Sequence, residues 1–301
     1  MSAAPALCCD ALSKRYGSRW ALRDCTLEIP AGAVAALVGP NGAGKTSLLQ
    51  LAVGLSKPSA GEVSVLGYSP RRDAAAVLPR LGFVAQEHPL YKGFSVAEML
   101  EFGRKLNPSW DAAFARARVE ALGLPLDQKA GKLSGGQQAQ IALTLALAKR
   151  PDLLLLDEPV ASLDPLARRE FMQSVMEAVA ETGMTVVLSS HIVADLERVC
   201  DHLVILSTAE VQLAGPIEGI VASHRVLTGV RADPAAVSRL HQVIRVRHTP
   251  RQTTLLVRAN GHVYDSCWQQ DEVGLEEIVL AYLGYDGAAA APQPARQEVA
   301  T

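Results

Sequence analysis

Three short stretches of this chain carry residue types whose spacing could handle a phosphate. The first, "GPNGAGKTS", runs Gly39, Pro40, Asn41, Gly42, Ala43, Gly44, Lys45, Thr46 and Ser47. Its glycines let successive amide N–H groups curl around a phosphate, and the helix that follows adds the partial positive charge of its N-terminus. Lys45 is then placed to reach the β- and γ-phosphates of a nucleotide, and the Thr46 hydroxyl to ligate Mg²⁺. The pattern G-x-x-x-x-G-K-[ST] sits after an expected strand and before an expected helix, the context it requires. It is not the dinucleotide fingerprint, because the glycines run G-x-x-G-x-G rather than G-x-G-x-x-G.

The second stretch, "LLLLDEP", ends an apolar run in two acids, Asp157 and Glu158. An acid at the end of a buried strand beside a phosphate loop can hold Mg²⁺, which fits Asp157. Adjacent residues leaving a strand point in different directions, so Glu158 can face an attacking water while Asp157 faces the metal. The third stretch is "LSGGQQ", Leu133 to Gln138. It places a second Ser-Gly-Gly at what reads as another helix start, so one chain offers two anion-binding helix ends for one nucleotide.

These residues need a framework. Residues 4–30 alternate apolar and polar positions around short turns, which predicts an antiparallel β layer. "AGAVAALVG" reads as a fully buried strand and "KTSLLQLAVGL" as a helix. The segments "SVAEMLEFGRKL" and "SWDAAFARARVEALGL", separated by Asn107-Pro108, predict helices, giving a helical subdomain at about residues 88–145. "QQAQIALTLALAKR", "PDLLLLD", "DPLARREFMQSVMEAVAETG" and "MTVVLSSH" continue as helix, strand, helix, strand. Such alternation predicts an α/β fold with a mixed or parallel sheet covered on both faces.

The first 222 residues are expected to form one domain, residues 223–285 a small α/β appendage, and the Ala/Pro/Gln-rich residues 286–301 a disordered tail. Four of the seven histidines (His224, His241, His248 and His262) fall in the appendage without ligand-like spacing, so solvated surface is expected there and not a metal site.

The 301 residues are 49% hydrophobic and 20% charged, with a formal net charge of −2, which argues against a nucleic-acid-binding role. The appendage arginines are offset by Asp271, Glu272, Glu276 and Glu277. Five cysteines, Cys8, Cys9, Cys25, Cys200 and Cys267, contain no C-x-x-C pair, so reduced, mostly packed thiols of a cytosolic protein are expected. The first residues lack the basic region of a secretory signal, and no apolar run approaches the ~20 residues that cross a bilayer.

In this order, the phosphate loop, "LSGGQQ", "LLLLDEP", "SLD" and "SSH" resemble an ATP-binding cassette (ABC) ATPase of a transporter, over about residues 7–220. The resemblance implies a P-loop ATPase fold with an N-terminal antiparallel β layer and a helical subdomain carrying the signature. It implies ATP as substrate with Mg²⁺ as cofactor, and the absence of an N-K-x-D motif disfavours GTP. Tyr16 matches the aromatic that stacks on adenine, with Trp20 as a rival. Gln86 in "GFVAQE" matches the glutamine that touches Mg²⁺ and the lytic water. Ser134, Gly135, Gly136 and Gln137 match the signature. Asp157 and Glu158 match the Mg²⁺-associated aspartate and the general base, Asp164 the dimer-contacting loop, and His191 the histidine that contacts the γ-phosphate. On its own, His191 would read as a polar strand terminus.

In that family two cassettes pair head to tail, so that Ser134-Gly135-Gly136 of one chain closes over the γ-phosphate at Lys45 of the other. The second helix start then belongs to a second active site. The partners implied are another cassette, the same or homologous, and a separately encoded membrane permease. The implied location is cytoplasmic, on the inner face of the cell membrane. The segments "NPSWD", "SSHIVADLERVCDHLVIL" and "LEEIVLAYLG" resemble the exporter-type group. The competing expectation is a non-transport cassette ATPase of the translation-factor or DNA-repair kind. Those relatives generally carry two cassettes or a long coiled-coil insertion, and this sequence has neither. A catalytically quiet regulatory cassette is a third reading, opposed by Glu158 and His191. Gln140 and Leu145 stand where the family often has arginine, and Val160 where threonine is common, which puts the ion-pair network of the helical subdomain in question.

Overall fold

The structure is a computed structural model and describes residues 4–190, 196–230, 234–261 and 267–284. The chain divides between Ala214 and Gly215 into two compact units.

The first unit opens with β1 (Leu7–Tyr16) and β2 (Arg19–Ile29), an antiparallel hairpin. Then come β3 (Val34–Val38), α1 (Lys45–Ala52) and β4 (Ala60–Val65), which pairs with the free edge of β1 to make a three-stranded antiparallel sheet, β2-β1-β4. A short α2 (Ala74–Val77) leads to β5 (Leu81–Val84). Three helices follow: α3 (Val96–Leu106), α4 (Ala112–Ala121) and α5 (Gly135–Leu147). The chain then returns to the sheet with β6 (Leu153–Leu156), α6 (Pro165–Thr182), β7 (Thr185–Ser190), β8 (His202–Ser207) and β9 (Glu210–Pro216).

The second sheet has six strands in the order β5-β6-β7-β3-β8-β9, and the pairs from β5 to β8 are parallel. Every residue of β3, β6 and β7 is buried, as expected for strands covered on both faces. That burial explains their runs of Val, Ala and Leu without alternation. Leu37, Leu155, Val187 and Val204 share one core cluster with Leu7, Leu22 and Ile29 of the hairpin and Leu48, Leu49 and Leu51 of α1. The phosphate loop is thus held between two packed layers.

The helical part has its own core of Val96, Met99, Val119, Leu124, Ala130, Leu133 and Ile141. Its first helix starts with a reciprocal capping box, in which Ser95 Oγ accepts from the Glu98 N–H at 3.2 Å and the Glu98 carboxylate from the Ser95 N–H at 2.6 Å. Asn107 caps its end just before Pro108, where the pre-proline position disfavours helix.

The second unit contains α7 (Ile217–Ser223), β10 (His224–Gly229), α8 (Pro234–Ser238), β11 (Gln242–His248), β12 (Thr253–Arg258), β13 (Gln269–Asp271) and α9 (Leu275–Leu283). Its antiparallel sheet runs β11-β12-β10-β13 over Leu227, Val237, Leu255, Val257 and Trp268. The boundary lies before the composition shift near Ala222, because α7 packs against α9 and belongs to this unit.

The expectation of solvated histidines fails here for two residues. His224 is fully buried, its Nδ1 2.7 Å from the Ile220 carbonyl and its Nε2 3.0 Å from the Tyr282 hydroxyl. His241 is buried as well, with Nδ1 accepting from the Asn260 N–H at 3.1 Å. Both rings have internal partners that offset the loss of water. His248 is exposed, and His262 and the tail residues 286–301 lie outside the described residues.

Candidate functional site

The phosphate loop is shaped by contacts that exclude any side chain larger than hydrogen. A Cβ on Gly39 would stand 2.2 Å from the Leu206 carbonyl oxygen, and one on Gly44 2.2 Å from that of Ala21. Gly44 also has φ +110°, a conformation L side chains rarely adopt. Helix α1 starts at Lys45 with no side-chain cap, so its first amides are left for a ligand. The Lys45 side chain is 95% buried. Its ammonium donates to the Gly39 and Pro40 carbonyls at 2.7 and 3.3 Å and pairs with Glu158 Oε1 at 3.1 Å.

The acid pair stands at the end of β6. The Asp157 N–H donates to the Val84 carbonyl at 2.9 Å, which ties it to β5. Asp157 Oδ1 accepts from Thr46 Oγ1 at 3.2 Å and from Ser189 Oγ at 3.0 Å. Burial pushes the Asp157 carboxyl upward. The hydrogen bonds from Ser189 and Thr46 oppose this, Glu158 adds to it, and Lys45 acts against it. Glu158 turns the chain at φ +43°, and its N–H donates to Ser189 Oγ at 2.7 Å. One hydroxyl of β7 therefore bridges both acids. Sequence reasoning assigns Ser189 no such role; its only signal is a hydroxyl ending a buried strand, in the "SSH" stretch.

The carboxylate of Asp157 and the hydroxyl of Thr46 are hard oxygen donors side by side, a set that fits Mg²⁺. Mg²⁺ takes only one or two protein ligands beside substrate phosphates and water. Among the described residues no larger cluster of metal-binding side chains competes for it.

Tyr16, Arg19, Asn41, Gly42, Gly44, Lys45, Thr46, Ser47, Gln86 and Glu158 line one cleft of about 710 Å³. Tyr16 is half exposed there, and Trp20 is absent from it. Alternation along β2 puts Arg19 and Trp20 on opposite faces, and cross-strand pairing puts Tyr16 of β1 with Arg19. Tyr16 is the direct partner of Arg19, and Trp20 the partner of Arg15, whose guanidinium lies 5.4 Å from the indole ring. No sequence motif singles out Arg19. His191 lies outside the described residues.

Ser134, Gly136, Gln137 and Asp164 line a different cleft, of about 280 Å³, which shares no residue with the first. Ser134 caps α5 through a second capping box, with Oγ accepting from the Gln137 N–H at 3.2 Å and Gln137 Oε1 from the Ser134 N–H at 2.9 Å. Asp164 Oδ1 accepts from the Leu166 and Ala167 N–H groups, both at 3.0 Å, and so caps α6. The two helix starts meet closely enough that a Cβ on Gly136 would lie 2.9 Å from that of Ala167.

The model of the ABC transporter family matches residues 22–161. The Nod factor export ATP-binding protein I of Burkholderia lata is 34% identical over 217 residues, covering 70% of this chain and 71% of that protein. This chain belongs to the ABC transporter ATP-binding family. A molybdenum import ATP-binding protein, ModC, of Paramagnetospirillum magneticum is 36% identical over 65% of the chain, which spans 57% of that relative's length. Among solved structures, a dimeric bacterial ABC transporter cassette superposes with a TM-score of 0.63 at 26% identity, over 70% of this chain and 98% of that one.

In α5, Gln140 is engaged by an arginine from another helix. Arg118 of α4 donates to Gln140 Oε1 at 2.9 Å and to Thr144 Oγ1 at 3.2 Å, so the guanidinium comes from a neighbouring helix. Burial lowers the Arg118 pKa, and the nearby charge of Glu177 acts the other way. Close to Gln86 in sequence, the cassette opens an apolar groove of about 610 Å³, lined among others by Phe83, His88, Tyr91, Met99, Phe102 and Trp110. Tyr91, Phe94 and Phe102 pack ring to ring beside it, with centroids 5.2 to 6.1 Å apart, while Tyr91 stays 61% exposed.

Proposed function

We propose that this cassette binds ATP, hydrolyses it to ADP and phosphate as one of a head-to-tail pair, and so energises transport through a separately encoded membrane permease. The observation that carries the reading is the separation of the two clefts. Lys45, Thr46, Asp157, Glu158, Gln86 and Tyr16 lie around one, and Ser134, Gly136, Gln137 and Asp164 around the other. A triphosphate on the first has no signature amides from its own cleft. A second copy in opposite orientation supplies them.

In the closed pair the loop amides and Lys45 hold the β- and γ-phosphates from one side. The α5 helix start of the partner, at Ser134-Gly135-Gly136, faces the γ-phosphate from the other. Charge that develops in the transition state thus meets fixed dipoles from two molecules. Glu158 accepts a proton from the attacking water as its oxygen bonds to the γ-phosphorus, and the bridging bond breaks toward ADP. Gln86 orients that water, and His191 contacts the γ-phosphate. Mg²⁺, held by Thr46 and Asp157 with Gln86 beside them, would neutralise charge on the β- and γ-oxygens.

The apolar groove suits a short apolar segment of the permease, since it adjoins the stretch carrying Gln86 and exposes aromatic rings. Among the described residues no helix is long and apolar enough to cross a membrane, which fits attachment at the inner face through such a partner. The similar relatives include both import and export ATP-binding proteins, and export is the direction proposed here on the resemblance of "NPSWD", "SSHIVADLERVCDHLVIL" and "LEEIVLAYLG" to the exporter-type group.

The decisive experiment mixes two inactive chains, Lys45→Ala and Ser134→Arg. A mixed dimer keeps one composite site with both halves intact, so the mixture regains ATPase activity that neither chain has alone. A mixture no more active than its components would remove the shared site from the mechanism.

A further inference from the structure

The hairpin of β1 and β2 closes through Gly17 and Ser18, with Gly17 at φ +58°, the left-handed conformation favoured in such two-residue turns. Tyr16 and Arg19 flank the turn as direct cross-strand partners. Residues directly opposite each other project from the same face of the sheet, so the ring and the guanidinium enter the nucleotide cleft together. The guanidinium lies over the phosphate loop. A Cβ built on Gly42 would stand 3.0 Å from Arg19 Nη2, with no other atom outside its chain neighbours within 4 Å.

The two cations of the cleft are in opposite situations. Lys45 is buried and already engaged with Glu158 and two carbonyls. Arg19 is exposed, and among the described residues no carboxylate or carbonyl pairs with it. A guanidinium presents several donors in a planar fork, which matches the spacing of two phosphate oxygens better than an ammonium does. Glycine at position 42 leaves the space between fork and loop clear of side chain.

We propose that Arg19 binds the phosphate chain of the nucleotide, clamping it against Gly42 while Tyr16 takes the base. This inference rests on the ATP-binding reading above and adds a binding residue to it. Arg19 is a specificity determinant for phosphorylated ligands: its contribution falls on the phosphates and not on the nucleoside.

The test measures binding of MgADP and of adenosine to the full-length chain, each competing with a fluorescent ADP analogue. Arg19→Ala should weaken MgADP about tenfold, the size of a hydrogen bond to a charged group, and leave adenosine unchanged. Arg19→Lys should recover part of the loss, and the salt dependence of ADP binding should become shallower in the alanine variant. Equal weakening of ADP and adenosine would assign the guanidinium to the nucleoside and overturn the proposal, as would ADP binding identical to wild type. If the wild-type chain itself binds no ADP, the nucleotide reading fails and takes this role with it. If wild type binds and Arg19→Ala binds equally well, only the role of Arg19 is lost.

Discussion

The two glycine-bearing helix starts are alike on paper and opposite in construction. At α1 the glycines are dictated by neighbours distant in sequence: Leu206 and Ala21 carbonyls stand where side chains would go, and Gly44 is held at φ +110°. No side chain caps that helix, so its amides remain available. At α5 the start is made locally. Ser134 and Gln137 cap each other's backbone, and a Cβ on Gly135 would meet nothing within 4 Å. The first is a mould closed by tertiary packing, complete for a phosphate. The second is a self-sufficient helix end: Gly136 admits Ala167 of α6 at close range, and only Gly135 leaves a face that meets nothing in its own molecule, as a surface proposed to face a second one would.

The largest expected effect comes from the mould. Gly44→Ala sets a Cβ against the Ala21 carbonyl at a left-handed backbone, so it should cost more than about 3 kcal/mol in denaturant unfolding and abolish nucleotide binding. A variant that folds and binds normally would break the comparison at its strong end. Next comes Glu158→Gln, which keeps the loop intact but removes the carboxylate proposed as the base. ATP binding should persist while turnover falls roughly 10²–10⁴-fold in single-turnover assays. Near-normal hydrolysis would take Glu158 out of that role.

Effects at the other helix start should be smaller and of a different kind. Ser134→Ala removes one half of a capping box and should lower stability by about 1 kcal/mol. ATP affinity of the dilute monomer should hold, while the concentration-dependent ATPase rate falls. Loss of nucleotide binding by the monomer would place the signature at the phosphate of its own chain. Gly135→Ala is the mildest change, expected to shift thermal stability by less than about 1 kcal/mol and toward greater stability if at all. Its ATPase rate, measured at high protein concentration, then reports whether the partner's phosphate needs that glycine surface bare.

Much of the fold and the site is legible in the sequence because it depends on local chemistry. The runs Val34–Val38 and Leu153–Leu156 lack alternation, and both are fully buried parallel strands. Asn107-Pro108 ends α3, and Asp164 followed by Pro165 begins α6 with a capped first turn. Where sequence reading falls short, the deciding neighbour is remote. Ser189 meets the acid pair only because β6 and β7 lie side by side. The histidines His224 and His241 are buried because helix and strand fold over them, which polarity alone does not reveal.

By itself the sequence determined the phosphate loop, the acid-ended strand, the signature cap and the helix and strand periods, since each is set by residues within a few positions of one another. Only the tertiary structure decided which ring lines the cleft of the phosphate loop, which hydroxyl meets both acidic residues, and which helix lends an arginine to Gln140. It also decided that the two helix starts open on separate clefts. Strand register and layer packing fix the direction of a side chain through atoms far away in the chain, and no local spacing encodes that.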